Sequence, residues 1–159
     1  MAVEIERKFL VTSNSWMASV SKIRNIRQAY MCNNERVSVR IRIDSTSGAA
    51  LTVKTASPGR HRSEYEYQIP VSDAEELLAL REGAVVQKIR HEVSFDDLVW
   101  EIDVFGMDNA GLVLAEVELE SADQAFARPV WLGEEVTDDA RFYSANLALY
   151  PFRRWQSPS

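Results

Sequence analysis

The sequence predicts a mainly β domain of about eight antiparallel strands with a few short helices. Segments in which apolar and charged residues alternate recur along the chain, as in Glu4-Ile5-Glu6-Arg7-Lys8, and this two-residue period is that of a strand. Short links rich in Asn, Pro or Gly separate most of these segments, which favours antiparallel neighbours over parallel ones. No segment has the pattern of a long helix, so helices can cover only part of the sheet.

The composition is that of one globular domain without nucleic-acid or membrane partners. A chain of 159 residues suits a single domain over residues 1–150, with a loose tail at 151–159. A net charge of -6 argues against nucleic-acid binding, although a local basic cluster can still hold a small anion. One cysteine and two histidines argue against a disulfide or a Cys/His zinc site. No apolar run approaches transmembrane length and no signal-peptide core opens the chain, so we expect a cytoplasmic protein.

The first half of the chain reads as hairpins of alternating strands. A strand at 3–11 precedes Ser13, Asn14 and Ser15, which are suited to cap a brief helix at 16–20. Further strands are expected at 23–32, 37–43, 50–55 and 63–69, with turns at Asn33-Asn34 and Pro58-Gly59.

The second half holds the remaining strands and the only amphipathic helix of any length. That helix is predicted at 74–81, capped by Ser72 or Asp73 and stopped by Gly83. Strands follow at 85–95, 99–105 and 112–120, then a helical turn at 121–127 and a last short helix within 137–149.

Same-sign charge pairs occupy one face of most predicted strands. They are Glu4/Glu6, Arg40/Arg42, Glu64/Glu66, Lys88/Arg90, Glu101/Asp103 and Glu116/Glu118, with Lys54 as a single cation. Like charges on neighbouring same-face positions repel unless an opposite charge lies between them. We therefore infer a shared polar interior that holds ions.

Two arrangements of the strands remain open at this point. If the charged faces point to solvent, the apolar faces form the core of a sandwich. If they point inward, about eight strands can close into a barrel whose interior holds a small ligand. In the second case Glu4 and Glu6, about 7 Å apart along their strand, can converge on a divalent cation, and Lys8 can meet an anion held by that cation.

The signature Glu4-x-Glu6-x-Lys8, followed by Arg40/Arg42, Lys54, Lys88/Arg90 and Glu116/Glu118, resembles the CYTH superfamily, also called triphosphate tunnel metalloenzymes. The resemblance runs from Glu4 to about Leu147 and is closest to the short bacterial members. It implies an eight-stranded antiparallel closed barrel with short covering helices, which binds a triphosphate substrate with Mg2+ or Mn2+. Members include inorganic, thiamine and RNA 5'-triphosphatases and class IV adenylate cyclases, so the fold is shared more widely than one activity.

With the resemblance counted, the acidic residues form a metal set, because Mg2+ prefers carboxylate oxygens. That set is Glu4, Glu6, Asp103, Glu116 and Glu118. Glu64, Glu66 and Glu101 either bind metal or form ion pairs with the basic residues.

The basic residues form the substrate set, since Arg forks and Lys charges together can follow an elongated polyanion. That set is Lys8, Arg40, Arg42, Lys54, Lys88 and Arg90. The resemblance also implies that Lys8 pairs with Tyr30 to orient the attacking water or the leaving phosphate, although a strand tyrosine can equally serve packing.

Together with the resemblance to the short bacterial members, these residues predict a metal-dependent triphosphatase that converts inorganic triphosphate to pyrophosphate and phosphate. The alternatives are a class IV-like adenylate cyclase, a thiamine or nucleoside triphosphatase, and a non-catalytic polyphosphate binder. The expected partner is a small anionic triphosphate, and the protein is expected to be a monomer or a homodimer.

Overall fold

A single antiparallel sheet of nine strands is the frame of the protein in this computed structural model. The structure describes residues 2–55 and 61–155, with side chains in 5–55 and 63–155. The strands are β1 (Ala2–Val11), β2 (Val20–Asn33), β3 (Val37–Asp44), β4 (Gly48–Thr55), β5 (His61–Ile69), β6 (Glu82–Phe95), β7 (Leu98–Phe105), β8 (Val113–Glu118) and β9 (Leu132–Glu135). The α-helices are α1 (Val71–Leu78), α2 (Ser144–Leu149) and α3 (Phe152–Trp155), and short 3-10 helices lie at Ser15–Ser19, Met107–Asn109 and Ala140–Phe142.

The predicted eight-stranded closed barrel is wrong, because the strands form one nine-stranded sheet. Its order is β5-β4-β3-β2-β6-β7-β8-β1-β9, and a short additional ladder pairs Ala2–Ile5 of β1 with β5. All pairings are antiparallel, as expected. Sequence reasoning missed the strand β9, because its Leu-Gly-Glu-Glu sequence lacks the alternation of apolar and polar residues. In the structure β9 pairs with Phe9 and Val11 of β1, with a register shift between them.

Short helices and loops cover part of the apolar faces of the strands, and Ile23, Tyr67 and Ile89 remain exposed. One cluster packs Trp16, Trp100 and Trp131 around Phe9 and Ile102, with the Trp100 and Trp131 rings edge to face at 5.6 Å. A second cluster lies under α1, where Ala74 and Leu78 contact Ile41. The helix begins directly after Pro70, earlier than predicted, and no side chain caps it.

The C-terminal segment covers a third apolar cluster, which reaches the charged face at Tyr30. Phe142 and Leu147 pack there against Tyr30 and Val86. Leu147 is fully buried, which stabilises the fold by about 1.5–3 kcal/mol. Gly83 lets α2 approach β6, since its φ is +71° and a Cβ atom would lie 2.8 Å from the Ala148 carbonyl oxygen.

The C-terminal tail expected to be loose contains α3. The Trp155 ring of α3 lies 5.2 Å from the Phe142 ring.

The segment at 121–127, expected to be helical, has turns but no helix. No helix in the described ranges is long and apolar enough to cross a membrane.

Candidate functional site

The charged pairs of neighbouring strands lie on one face of the sheet. Glu6 pairs with Glu118 and Lys8 with Glu116 across β1 and β8, and Arg90 pairs with Asp103 across β6 and β7. Directly paired residues of an antiparallel ladder point to the same face. The register thus joins these pairs into a continuous charged face.

Four basic side chains of this face are buried, which excludes an arrangement in which these charges point to solvent. The exposed fraction is 7% for Lys8, 9% for Arg40, 2% for Lys88 and 6% for Arg90. Charged side chains are almost never buried to this degree unless they are paired or bind an ion. The interior inferred from the sequence is present, and cations predominate in it.

Asp103 is the anion around which two of these cations are arranged. Its oxygens accept hydrogen bonds from Lys88 Nζ at 2.7 Å and from Arg90 Nε and Nη2 at 2.8 Å each. Burial alone would raise the pKa of Asp103, but Arg90 and Lys88 lower it far below its ordinary value. Asp103 is therefore ionised and faces cations, whereas the sequence placed it with the metal ligands.

Lys88 is the cation whose charge is most sensitive to pH. Burial lowers the pKa of Lys88 to about 8, since the repulsion from Arg90 and Arg42 works with burial against the attraction of Asp103. Arg90 stays charged, because Asp103 and Glu101 raise its pKa well above the ordinary value in spite of burial.

Lys8 lies between the acidic residues and the C-terminal segment. Its Nζ donates a hydrogen bond to the Phe142 carbonyl oxygen at 3.1 Å and lies 3.6 Å from Glu116 Oε1. Burial would lower the pKa of Lys8, but Glu116 and then Glu6 raise it above its ordinary value. Tyr30 lies close enough to add to this electrostatic effect on Lys8.

Arg40, which is buried, and Arg42, which is half-buried, form a second pair of cations on β3. Arg42 Nε donates to Gln28 Oε1 at 2.8 Å, and Arg40 Nη2 donates to Thr52 Oγ1 at 3.4 Å. Burial, followed by the charges of Arg40 and Arg90, lowers the pKa of Arg42. Like-charge repulsion of this kind is relieved by an anion placed between the cations.

Acidic residues face one another directly at the β7, β8 and β1 strands. Glu6 is opposite Glu118, and Glu101 is opposite Glu116. Burial, together with Glu116, raises the pKa of Glu101 although Arg90 opposes the shift. Carboxylates opposed in this way fit a bound cation, since such a cation removes the repulsion between them.

The structure brings together most of the predicted metal set without completing a metal site. Within the described part of the chain, no group of three or more His, Cys, Asp or Glu side chains is already arranged to hold a metal ion. The side chain of Glu4 lies outside the described residues, although its backbone belongs to β1.

The remaining predicted residues take part in ion pairs or hydrogen bonds on the same face. Lys54 Nζ lies 3.8 Å from Glu64 Oε2, and Glu66 Oε1 accepts from Thr52 Oγ1 at 3.4 Å. Glu101 Oε2 lies 3.4 Å from Arg90 Nη1. These contacts place the three carboxylates left open by the sequence beside cations or their partners.

Sequence reasoning missed Arg24, Asp44 and Gln28. Arg24 forms an ion pair with Asp44 and lies 3.5 Å from Glu101 Oε2. Asp44 also accepts from Thr46 N, and the hydrogen bonds from Arg24 and then Thr46 hold the pKa of Asp44 at about 2 despite burial. All three share the two-residue period of Tyr30 and Arg42, and that spacing was the available signal. It was overlooked because none of them belongs to a same-sign pair.

Comparison with known proteins gives consistent matches over nearly the whole chain. Residues 2–143 match the CYTH domain family. An inorganic triphosphatase from Acetivibrio thermocellus is 41% identical over 98% of this chain and 99% of its own length. An inorganic triphosphatase from Nitrosomonas europaea is 39% identical over 92% of this chain and 97% of its own length.

A solved structure agrees with these sequence matches. The crystal structure of an inorganic triphosphatase superposes with a TM-score of 0.66 and 36% identity, over 94% of this chain and 96% of that one. The matches confirm the resemblance that the sequence motifs indicated.

Proposed function

Because this chain belongs to the CYTH domain family, we propose that it hydrolyses inorganic triphosphate to pyrophosphate and phosphate. The observation that carries the proposal is the excess of buried cations on one face. Among the described residues, Lys8, Arg40, Lys88 and Arg90 are buried cations, and only Asp44 and Asp103 are buried anions. A bound polyanion would compensate this excess.

The substrate set follows the charged face across several strands. Arg40 and Arg42 on β3 and Lys88 and Arg90 on β6 bind phosphate oxygens, with Lys54 and Lys8 at the flanks. Asp103 keeps Lys88 and Arg90 in place, since it contacts both. The chain contributes alignment and charge stabilisation to an in-line attack by water, which needs no side-chain nucleophile.

Glu4, Glu6, Glu116 and Glu118 would hold Mg2+ or Mn2+. These carboxylates suit a metal ion because Glu6 pairs directly with Glu118 in the ladder between β1 and β8, and Glu116 lies in the same ladder opposite Lys8. When bound, the ion neutralises phosphate charge and lowers the pKa of a coordinated water. We assign Asp103 to the cations it contacts in preference to the metal.

Lys8 acts as a charged donor and does not serve as a general base. Its raised pKa keeps the ammonium protonated at neutral pH. From its position beside Glu116, the ammonium orients a phosphate oxygen, and Tyr30, which lies near Lys8 on β2, helps to orient the attacking water or the leaving phosphate.

The test is a substrate panel assayed with Mg2+ and with Mn2+. Phosphate release is measured from inorganic triphosphate, ATP and thiamine triphosphate, and cyclic AMP is measured from ATP in parallel. We expect the highest kcat/KM with inorganic triphosphate, because the buried donors are groups that bind phosphate oxygens and larger substrates gain few further contacts. A preference for ATP with cyclic AMP as product would make the protein a cyclase, and binding without turnover would make it a polyphosphate binder.

A further inference from the structure

Gln28 is a fully buried amide on the charged face. It lies in β2, directly opposite Arg42 on β3 and Val86 on β6, and its exposed fraction is 0%. Its neighbour at the next same-face position, Tyr30, is opposite Arg40. Gln28 therefore belongs to the ladder that holds the two β3 arginines.

The contact with Arg42 determines how the Gln28 amide is oriented. Arg42 Nε can only donate, so the atom that faces it at 2.8 Å must be the acceptor Oε1. The Nε2 group, with two N–H donors, is then directed away from Arg42 Nε. It is buried and has no hydrogen-bond partner among the described atoms.

A second buried donor without a hydrogen-bond partner lies on the neighbouring cross-strand pair. Arg40 Nε is buried and also has no partner among the described atoms. Buried donors in native proteins are nearly always satisfied, so two on adjacent cross-strand pairs indicate an acceptor that the described residues do not provide. The two remaining buried donors of this kind, Trp16 Nε1 and Trp100 Nε1, lie in the apolar cluster on the other side of the sheet.

For binding an anion, it is as important that the Gln28 side chain is uncharged as that it carries hydrogen-bond donors. A carboxylate at this position would accept from Arg42 equally well, but it would form a permanent ion pair and cancel the arginine charge. The amide orients Arg42 and leaves its charge uncompensated beside Arg40 and Arg90, whose repulsion is felt at Arg42. The site is thereby kept for an anionic ligand.

We propose that Gln28 is a substrate-binding residue whose Nε2 donates a hydrogen bond to a phosphate oxygen of the triphosphate held by Arg40 and Arg42. The inference rests on the proposed function and adds a neutral donor to its cationic set. Gln28 then has two roles: Oε1 positions Arg42, and Nε2 contacts the ligand.

The first variant is Gln28→Glu, which changes both the donors of residue 28 and the charge beside Arg42. It keeps the acceptor for Arg42 and the shape of the side chain, but it removes both donors and adds a negative charge. We expect the Kd for inorganic triphosphate, measured by calorimetry in chelator, and the KM with Mg2+ to rise about ten- to a hundredfold. The melting temperature should not fall, since the variant gains an ion pair with Arg42.

The matched control is Gln87→Glu on β6, where the side chain is exposed and on the opposite face. It makes the same chemical change and should leave Kd, KM and kcat within about twofold. Unchanged triphosphate affinity in Gln28→Glu would overturn the inference, because neither the Nε2 donors nor the uncharged state of residue 28 would then contribute to binding.

A double-mutant cycle tests the same point without a new charge. If Gln28 contacts the ligand itself, Gln28→Met should weaken triphosphate binding further in an Arg42→Met background. If it acts only through Arg42, Gln28→Met should have no effect there. Wild-type protein that neither binds nor hydrolyses triphosphate would instead contradict the proposed function as a whole.

Discussion

Asp103 illustrates how much a residue's role depends on its partners. From its strand position it resembles a metal ligand, but its oxygens contact Lys88 and Arg90 at 2.7–2.8 Å. Removing an anion from such a buried group leaves uncompensated charge, whereas exposed carboxylates tolerate neutralisation. The acidic residues of this face therefore divide into those that hold cationic side chains and those suited to a metal.

The variants Glu6→Gln and Glu118→Gln test whether these two acidic residues bind the metal ion. Each removes one of two carboxylates that face each other across β1 and β8. We expect kcat/KM for triphosphate with Mg2+ to fall by about two orders of magnitude or more, with little change in melting temperature, because a repulsive pair is relieved.

Glu120→Gln is the control for these variants, since Glu120 follows the same strand and is exposed. It should retain full activity. Unaltered metal-dependent turnover in both Glu6→Gln and Glu118→Gln would remove these residues from the metal set.

Lys88 predicts an alkaline limit to activity. Its pKa of about 8 means that the ammonium loses its charge as the pH rises through 8, so triphosphate binding weakens. We expect kcat/KM to fall above about pH 8, and we expect Lys88→Met to show low kcat/KM without that alkaline fall.

The free energy of unfolding should increase with pH over the range in which Lys88 loses its charge, whereas activity should fall there. The folded pKa of Lys88 is below the ordinary 10.5, so between about pH 8 and 10.5 the unfolded chain binds more protons and the Lys88 contribution to the free energy of unfolding increases with pH. Comparing urea unfolding of wild type and Lys88→Met across this range isolates that contribution. A flat kcat/KM profile from pH 7 to 9.5 in the wild type would contradict the activity prediction.

At the scale of elements, β9 and the residues after it hold the functional part of β1. Lys8 N donates to Thr137 Oγ1 at 3.0 Å, Val136 N donates to the Lys8 carbonyl oxygen at 2.8 Å, and Lys8 Nζ bonds to Phe142 O. Glu135 in β9 also binds Arg7 Nε at 2.6 Å. The C-terminal segment therefore positions Lys8 through both its backbone and its side chain.

Thr137→Val tests this positioning role. The variant keeps the shape of threonine but removes the acceptor for Lys8 N and the donor to Glu135 Oε2. Each lost bond is worth about 1 kcal/mol, so the two together correspond to a fall of about 4–8 °C in melting temperature. We also expect a lower kcat for triphosphate, because Lys8 is less well held.

Thr137→Ser retains the hydroxyl and should restore both kcat and melting temperature. If Thr137→Val had wild-type kcat despite a lower melting temperature, the contact would be structural only.

At the scale of the whole molecule, the buried charges make stability dependent on ligands. A ligand that binds only the folded protein at a hundred times its Kd adds about 2.7 kcal/mol, or about 5–10 °C for a chain of this size. We expect this rise with Mg2+ and triphosphate together, and smaller rises with each alone. Thermal melts in chelator, metal, triphosphate and both would measure it, and equal melting temperatures in all four would contradict ligand binding to the buried charges.

The extent to which the sequence predicted the molecule follows from how local each feature is. Alternation along Lys88-Ile89-Arg90 is visible within three residues, so the face of these cations was predictable. The strand β9 was missed because its pairing with β1 depends on contacts such as Arg7 with Glu135, which are far apart in the chain. The strand count and the closed barrel were therefore predicted wrongly.

By itself the sequence determined which residues carry charge, that they alternate with apolar residues in antiparallel strands, and which family the chain resembles. The tertiary structure alone decided that Lys8, Arg40, Lys88 and Arg90 are buried, that Asp103 contacts two cations, that Glu6 faces Glu118, and that Gln28 orients Arg42. The physical reason is that periodicity along a strand is a local property of the backbone, whereas burial and cross-strand partners depend on a register between segments up to more than a hundred residues apart.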